Sequence, residues 1–123
     1  MQQTIKSSNR EPITSTLLEE EPELIDLVIR FIEQLPKRIA DISSAVNERD
    51  WPALKSQLHA LKGLGANFGY PCISRLAQQM EDILAHFEYT NITPLLEELE
   101  ALRHRITVGG SDPRTRNRTN KSL

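Results

Sequence analysis

Hydrophobic residues recur three and four positions apart along most of the chain, and no window alternates as a half-buried strand would. This spacing predicts four helices. They should begin near Pro22, Asp50, Pro71 and Thr93, because capping side chains and early prolines mark helix starts. The predicted apolar stripes are Leu24, Leu27, Val28, Phe31 and Leu35, continued by Ile39, Ile42 and Val46; Leu54, Leu58, Leu61, Gly65 and Phe68; Ile73, Leu76, Ala77, Met80, Ile83, Leu84 and Phe87; and Leu95, Leu99, Leu102 and Ile106.

The segments between these helices are short, so successive helices should be antiparallel neighbours. Pro36 interrupts the first stripe. Because proline removes a helical hydrogen bond, Pro36 should kink the first helix or split it in two. The sequence therefore predicts an all-α fold, an antiparallel up-and-down four-helix bundle with a kinked or split first helix.

The two ends of the chain lack this periodicity. Residues 1–16 are polar, which predicts a flexible N-terminal arm. Residues 109–123 begin with two glycines and are rich in Arg, Asn, Thr and Ser, which predicts a disordered basic tail. The bundle should therefore occupy residues 17–108.

Composition narrows the class of protein. A chain of 123 residues, with 38% hydrophobic and 26% charged residues, fits one soluble globular domain. No apolar run approaches the roughly 20 residues of a membrane helix, and the polar first ten residues are unlike a signal peptide. We therefore expect a cytoplasmic location and no membrane partner.

Metal and nucleic-acid sites are also not expected. The lone Cys72 has no partner for a disulfide, and the histidines and Cys72 lack the spacing of metal ligands. The basic tail carries four cationic residues without interleaved aromatic residues, which is a weak signal for nucleic-acid binding.

His59 is the most informative position in the sequence. At about 100° per residue it lies roughly 140° from the centre of its helix's apolar stripe, so it should face solvent. Lys55, Lys62, Gly63 and Ala66 share that face. Gly63 costs about 1 kcal/mol relative to alanine within a helix, so helix stability does not explain its presence. A partner that comes close to His59 would explain it, with Lys55, Gly63 and Ala66 forming the docking face.

A histidine suits chemistry at such a face, because neutral imidazole is a nucleophile near pH 7. Phosphoryl transfer needs mainly positioning and charge neutralisation, which Lys62 and Lys55 can supply without a deep pocket. The alternative is an exposed histidine without a function.

The string HALKG at residues 59–63, with Phe68 and Gly69 after it, resembles the signature of histidine-containing phosphotransfer (HPt) domains. The stretch FIEQLP at residues 31–36, Asp50-Trp51 and Met80-Glu81 resemble the family's flanking segments, so the resemblance spans about residues 16–106. It implies that His59 accepts a phosphoryl group from a receiver-domain aspartate and returns it to another. It also implies that magnesium belongs to the receiver and that the chain needs no cofactor of its own.

Two polar residues of the third helix are candidates for orienting the His59 ring. Because the turn near Gly69 makes the second and third helices antiparallel, Gln78 and Glu81 should lie level with His59 on one face. The family resemblance favours Glu81, whose carboxylate would accept the Nδ1 proton and leave Nε2 as the nucleophile. A solvated polar face without a function is the alternative for both residues.

The leading hypothesis is a phosphorelay carrier, acting as a monomer between receiver domains of hybrid histidine kinases and response regulators. The alternative is a helical module that binds receiver domains without exchanging phosphate, for which a nucleophile at His59 would be unnecessary. Independent kinase activity is not expected, since the chain has neither room nor a glycine-rich motif for an ATP-binding domain.

Overall fold

The computed structural model describes residues 11–108, and this part of the chain is helical apart from turns and one isolated bridge. The predicted all-α class is therefore confirmed. The helices are α1 (Leu17–Glu20), α2 (Ile25–Glu48), α3 (Trp51–Asn67), α4 (Pro71–Ala85) and α5 (Ile92–Arg103), with 3-10 turns at Pro22–Leu24 and Tyr89–Asn91. Within residues 11–108, no helix is both long and apolar enough to cross a membrane.

Local chemistry fixes where the central helices begin. The Asp50 carboxylate accepts a hydrogen bond from the Ala53 backbone N–H (3.2 Å) and so caps the first turn of α3. Pro71 occupies the first turn of α4, where the missing N–H has no helical partner to lose. Both starts agree with those predicted from the sequence.

Helix α2 is continuous through Pro36, so the predicted split does not occur. Leu35 and Ile39, on either side of the proline, are both buried. Their packing holds the helix together despite the missing hydrogen bond, while the proline ring lies exposed on the outer face. The helix also begins later than predicted, at Ile25, because Pro22–Leu24 forms a 3-10 turn.

The four long helices enclose one hydrophobic core. Helix α2 packs on α3 and α5, helix α4 packs on the same two helices, and the contact between α3 and α4 is the most extensive. From α3 the core receives Leu54, Leu58 and Leu61, which are almost completely buried. The predicted apolar stripe of this helix therefore faces inward and its opposite side is left to solvent.

Three residues of the predicted stripes lie elsewhere than expected. Leu27 is 47% exposed, although it was predicted on the inner face of α2. The prediction that Phe87 is buried is wrong, because α4 ends at Ala85 and the Phe87 side chain is 76% exposed. Ile106 is buried as expected but lies beyond the end of α5, in a parallel bridge with Ile13.

That bridge belongs to a segment that the sequence assigns to the flexible arm. Within residues 11–16, the Ile13 N–H donates to the Arg105 carbonyl (2.7 Å), and the buried Ser15 hydroxyl donates to the Phe68 carbonyl (2.7 Å). The end of the predicted arm thus packs on the bundle, because it satisfies backbone groups at the close of α3 and α5. Residues 1–10 and the predicted tail, residues 109–123, lie outside the described residues.

The turn between α3 and α4 is built around Gly69 and Tyr70. Gly69 has a φ of 86°, and a Cβ added there would collide with the backbone nitrogens of Thr16 and Leu17. The Tyr70 side chain is fully buried and its hydroxyl donates to the Thr107 carbonyl (2.7 Å). Burial raises the pKa of Tyr70 well above its ordinary value, so the phenol stays protonated in the core.

We expect Gly69→Ala to lower the free energy of unfolding by about 2–4 kcal/mol, because a left-handed backbone and a backbone collision act together. Gly63→Ala is the matched control, since a Cβ at residue 63 would meet no atom within 4 Å. It should raise the free energy of unfolding by roughly 0.5–1 kcal/mol. Urea unfolding followed by circular dichroism measures both. Similar small effects for the two variants would contradict this account of the turn.

Candidate functional site

His59 projects from the solvent side of α3, where 76% of its side chain is exposed. The neighbouring residues Leu58 and Leu61 point into the core, so the helix itself holds the imidazole outward. The ring is therefore accessible to a macromolecule without any opening of the fold.

A carboxylate from α4 lies behind the ring. The Glu81 Oε2 atom is 3.5 Å from His59 Nδ1, and its Oε1 atom is 2.8 Å from Lys62 Nζ. The Glu81 side chain is only 13% exposed, so its position is restricted by the two helices around it. One carboxylate thus bridges the imidazole and the ammonium group, and it lies on the Nδ1 side of the ring.

Gln78 lies one turn before Glu81 but contacts the lysine and not the imidazole. The Lys62 ammonium donates to Gln78 Oε1 (2.9 Å), and Gln78 Nε2 donates to Asp82 Oδ1 (2.9 Å). Of the two residues considered for ring orientation, only Glu81 is brought to His59. Gln78 instead helps to fix Lys62, whose ammonium has three donors and uses two of them on Glu81 and Gln78.

The close approach of α3 and α4 makes this cluster possible. Gly65 is buried, and a Cβ at this position would lie 3.0 Å from the Ser74 backbone nitrogen. The Ser74 hydroxyl donates to the Lys62 carbonyl. Sequence reasoning missed Ser74, although a glycine and a serine on facing helices are a usual signal of close helix contact.

The predicted docking face is open to solvent. Lys55, Gly63 and Ala66 are exposed, and an added Cβ at Gly63 would have no neighbour within 4 Å. The packing of residues 11–108 therefore does not require a glycine at residue 63. This matches the geometry expected from the sequence but does not test the docking role.

In a comparison with known families, the family model described as the Hpt domain matches residues 26–108. The chain belongs to the Hpt domain family. Hpt domains are phosphotransfer carriers rather than kinases, and they interact with receiver domains. The match covers all four long helices except the first residue of α2, and it confirms the resemblance found in the sequence. Comparisons with curated proteins and with solved structures gave no match.

The geometry of this Hpt domain distinguishes the two nitrogens of His59. A carboxylate at Nδ1 favours the tautomer with its proton on that nitrogen. In the other tautomer the unprotonated Nδ1 would face the Glu81 carboxylate, and both are hydrogen-bond acceptors. In the favoured tautomer the free lone pair is on Nε2, at the opposite edge of the exposed ring. Within residues 11–108, no group of three or more His, Cys, Asp or Glu side chains is arranged to hold a metal ion.

We expect Glu81→Gln to reduce the population of the Nδ1-protonated tautomer of His59. The amide can turn its NH₂ group toward Nδ1, and it also gives up the ion pair that holds Lys62. Nitrogen-15 chemical shifts of the imidazole report the tautomer directly. Glu97→Gln, an exposed position on α5, is the control. Identical imidazole shifts in the wild type and Glu81→Gln would contradict the orienting role.

Proposed function

We propose that this Hpt domain carries a phosphoryl group on His59, accepting it from an aspartyl phosphate of one receiver domain and passing it to the aspartate of another. The observation that carries the proposal is the exposed imidazole with a largely buried carboxylate on its Nδ1 side. An exposed histidine without a function would not need a carboxylate held between two helices on one edge of its ring.

The proposed transfer needs no change in the number of protons on the ring. The Nε2 lone pair attacks phosphorus, a P–N bond forms, and the P–O bond to the receiver aspartate breaks with its electron pair returning to that carboxylate. The proton stays on Nδ1, and the ring acquires positive charge that the Glu81 carboxylate stabilises. Attack by a second receiver's carboxylate oxygen on phosphorus reverses these steps and restores neutral imidazole.

Lys62 would lower the electrostatic cost of placing a phosphoryl group beside Glu81. Its ammonium forms an ion pair with that carboxylate (2.8 Å) and keeps one N–H donor beyond its bonds to Glu81 and Gln78. That donor is available to a phosphoryl oxygen on the neighbouring turn of the helix. Lys62 would thus both fix Glu81 and neutralise incoming charge.

The remaining parts of the proposal concern the context of the transfer. The partners would be receiver domains of hybrid histidine kinases and response regulators, which would also hold the Mg²⁺ ion. The bundle would have four antiparallel helices, act as a monomer in the cytoplasm, and have no kinase activity. The docking face would comprise Lys55, Gly63 and Ala66. A receiver-binding module that exchanges no phosphate is the alternative, and the carboxylate at His59 Nδ1 disfavours it.

We expect the wild-type protein to gain acid-labile, base-stable phosphate when it is mixed with phosphorylated receiver domains, and His59→Gln to gain none. The variant should fold normally, because an exposed side chain contributes little to stability. His86→Gln is the control, since His86 is also exposed but belongs to the end of α4. If His59→Gln retained wild-type phosphate, the phosphoacceptor would be another residue. If the wild type bound receivers but gained no phosphate, the binding-module alternative would be correct.

A second prediction concerns Gly63. A glutamine there would project from the docking face one turn after His59 and keep the receiver aspartate away from the imidazole, and in-line transfer tolerates little displacement. Gly63→Gln should therefore slow transfer about tenfold or more, whereas Gly63→Ala should slow it less. Both should raise the melting temperature, because each lowers the entropy of the unfolded chain. Ala101→Gln, on the exposed side of α5, is the control. If Gly63→Gln transferred phosphate at the wild-type rate, Gly63 would not belong to the docking face.

A further inference from the structure

A groove runs between α3 and α4 beside the phosphotransfer site. Its volume is about 370 Å³, and its lining includes Lys55 and Glu81 at the His59 side and Trp51, Leu84 and Tyr89 farther along. The indole of Trp51 stacks on the ring of Tyr89, with centroids 4.3 Å apart and planes at 10°. The groove is therefore apolar at one end and charged where it meets the cluster around His59.

Phe87 extends this aromatic wall into solvent. Its ring meets Tyr89 edge-on, with centroids 6.2 Å apart, and its side chain is 76% exposed. Trp51 and Tyr89 are partly buried against the core, so Phe87 is the ring of this group that stands in solvent. An exposed aromatic side chain beside an apolar groove is usual at protein interaction sites. We call Trp51, Phe87 and Tyr89 the aromatic shelf.

The backbone at Phe87 makes the exposed ring harder to explain by folding. The Phe87 N–H donates to the Leu84 carbonyl (3.2 Å), and the Glu88 N–H donates to the Ile83 carbonyl (3.1 Å). These two bonds form the Schellman motif that ends α4, and Phe87 occupies its left-handed position with a φ of 60°. Glycine is usual at that position because it has no Cβ to strain. A phenylalanine there is unfavourable for the backbone and contributes little to the core.

We propose that the aromatic shelf and the groove beside it are a second part of the receiver docking surface, in which an apolar side chain of the receiver inserts beside Trp51 and an acidic side chain pairs with Lys55. This inference rests on the proposed function. It assigns to Phe87 the binding of the receiver and not the chemistry at His59.

Distance supports one continuous surface. Trp51 lies eight residues before His59 on α3, or about 12 Å along the helix. Ala85, the last residue of α4, lies four residues or about 6 Å beyond Glu81, and Phe87 follows two residues later. A standard interface buries about 800 Å² on each partner, which corresponds to a disc of about 16 Å radius. A receiver centred on His59 is therefore large enough to reach the aromatic shelf.

Charge supports the same occupant. Lys55 lines the groove one turn before His59 and forms no ion pair within residues 11–108. The end of the groove near His59 therefore presents the Lys55 ammonium without an ion-pair partner among the described residues, beside Glu81, whose carboxylate is already paired with Lys62 (2.8 Å). A receiver that brings a carboxylate-rich active site to His59 is complementary to this arrangement.

The test uses the full chain and the receiver domains encoded in the same genome, each in its phosphorylated and unphosphorylated form. Trp51 is the only tryptophan in the sequence, so incorporation of 5-fluorotryptophan gives one fluorine resonance inside the groove. Titration with unphosphorylated receiver should shift that resonance. Transfer rates measured against receiver concentration give the half-saturating concentration and the maximal rate separately.

We expect Phe87→Gly and Phe87→Asn each to raise the half-saturating receiver concentration about tenfold, with the maximal transfer rate unchanged. Their melting temperatures should not fall, because both residues accept the left-handed backbone better than phenylalanine. Ala85→Trp, which fills the groove from an exposed helical position, should have the same effect on half-saturation. Ala101→Trp, exposed on α5 and outside the groove lining, is its control.

The possible outcomes separate this inference from the proposed function. Transfer to His59 with unchanged half-saturation in both Phe87 variants would overturn the docking surface and leave the phosphotransfer proposal intact. A receiver-dependent shift of the Trp51 resonance without phosphate on His59 would overturn the phosphotransfer proposal and leave the docking surface intact. Lower melting temperatures in both variants would make Phe87 a packing residue. If the chain self-associates and Phe87→Gly abolishes this without an effect on receiver binding, the surface binds a second copy of the chain. Both the lower melting temperatures and this self-association would overturn the inference.

Discussion

The close contact between α3 and α4 is the constraint on which the site depends. At Gly65 the two helices approach so closely that one additional Cβ would lie 3.0 Å from the backbone nitrogen of Ser74. This distance brings Glu81 within reach of both His59 and Lys62, which belong to the other helix. An exposed imidazole is otherwise free to rotate. The packing of a buried glycine thus restricts a side chain on the outer surface, because it fixes the carboxylate that the imidazole faces.

The sequence predicts a large part of this arrangement, because the apolar stripe of a helix identifies which side is buried and which faces solvent. The positions of Leu54, Leu58 and Leu61 are sufficient to place His59 on the outer face of α3, and the turn at Gly69 is sufficient to bring Gln78 and Glu81 near its level. Periodicity does not specify how far apart two helices lie. The family resemblance favours Glu81 over Gln78, and the structure shows the contacts: Glu81 reaches the ring, whereas Gln78 reaches Lys62.

The residues whose positions differ from those predicted do so for physical reasons of the same kind. Phe87 continues the apolar period of α4, but the helix ends two residues earlier, so the period no longer describes where the side chain points. Residues 11–16 have no period at all, yet they pack, because backbone groups at the ends of α3 and α5 accept their hydrogen bonds. Hydrophobic patterning detects side-chain burial within regular helices. It detects neither the end of a helix nor a segment that is held by backbone hydrogen bonds.

Gly63 and Phe87 together mark a surface of the bundle whose residues are not explained by the stability of the fold. Gly63 is a glycine where an exposed helix favours almost any other residue, and Phe87 is a phenylalanine where a helix end favours glycine. A larger residue at position 63 and a glycine at position 87 would each make the backbone of the isolated fold more stable. Both flank the cluster of His59, Lys62 and Glu81, one after His59 on α3 and one beyond Glu81 at the end of α4. Local preference is usually satisfied in a stable domain, and its violation is concentrated where a site has another requirement. Here the two violations are opposite in kind, since one clears space beside the imidazole and the other fills solvent with an aromatic ring. A single partner that needs close access at His59 and an apolar contact beyond the end of α4 accounts for both.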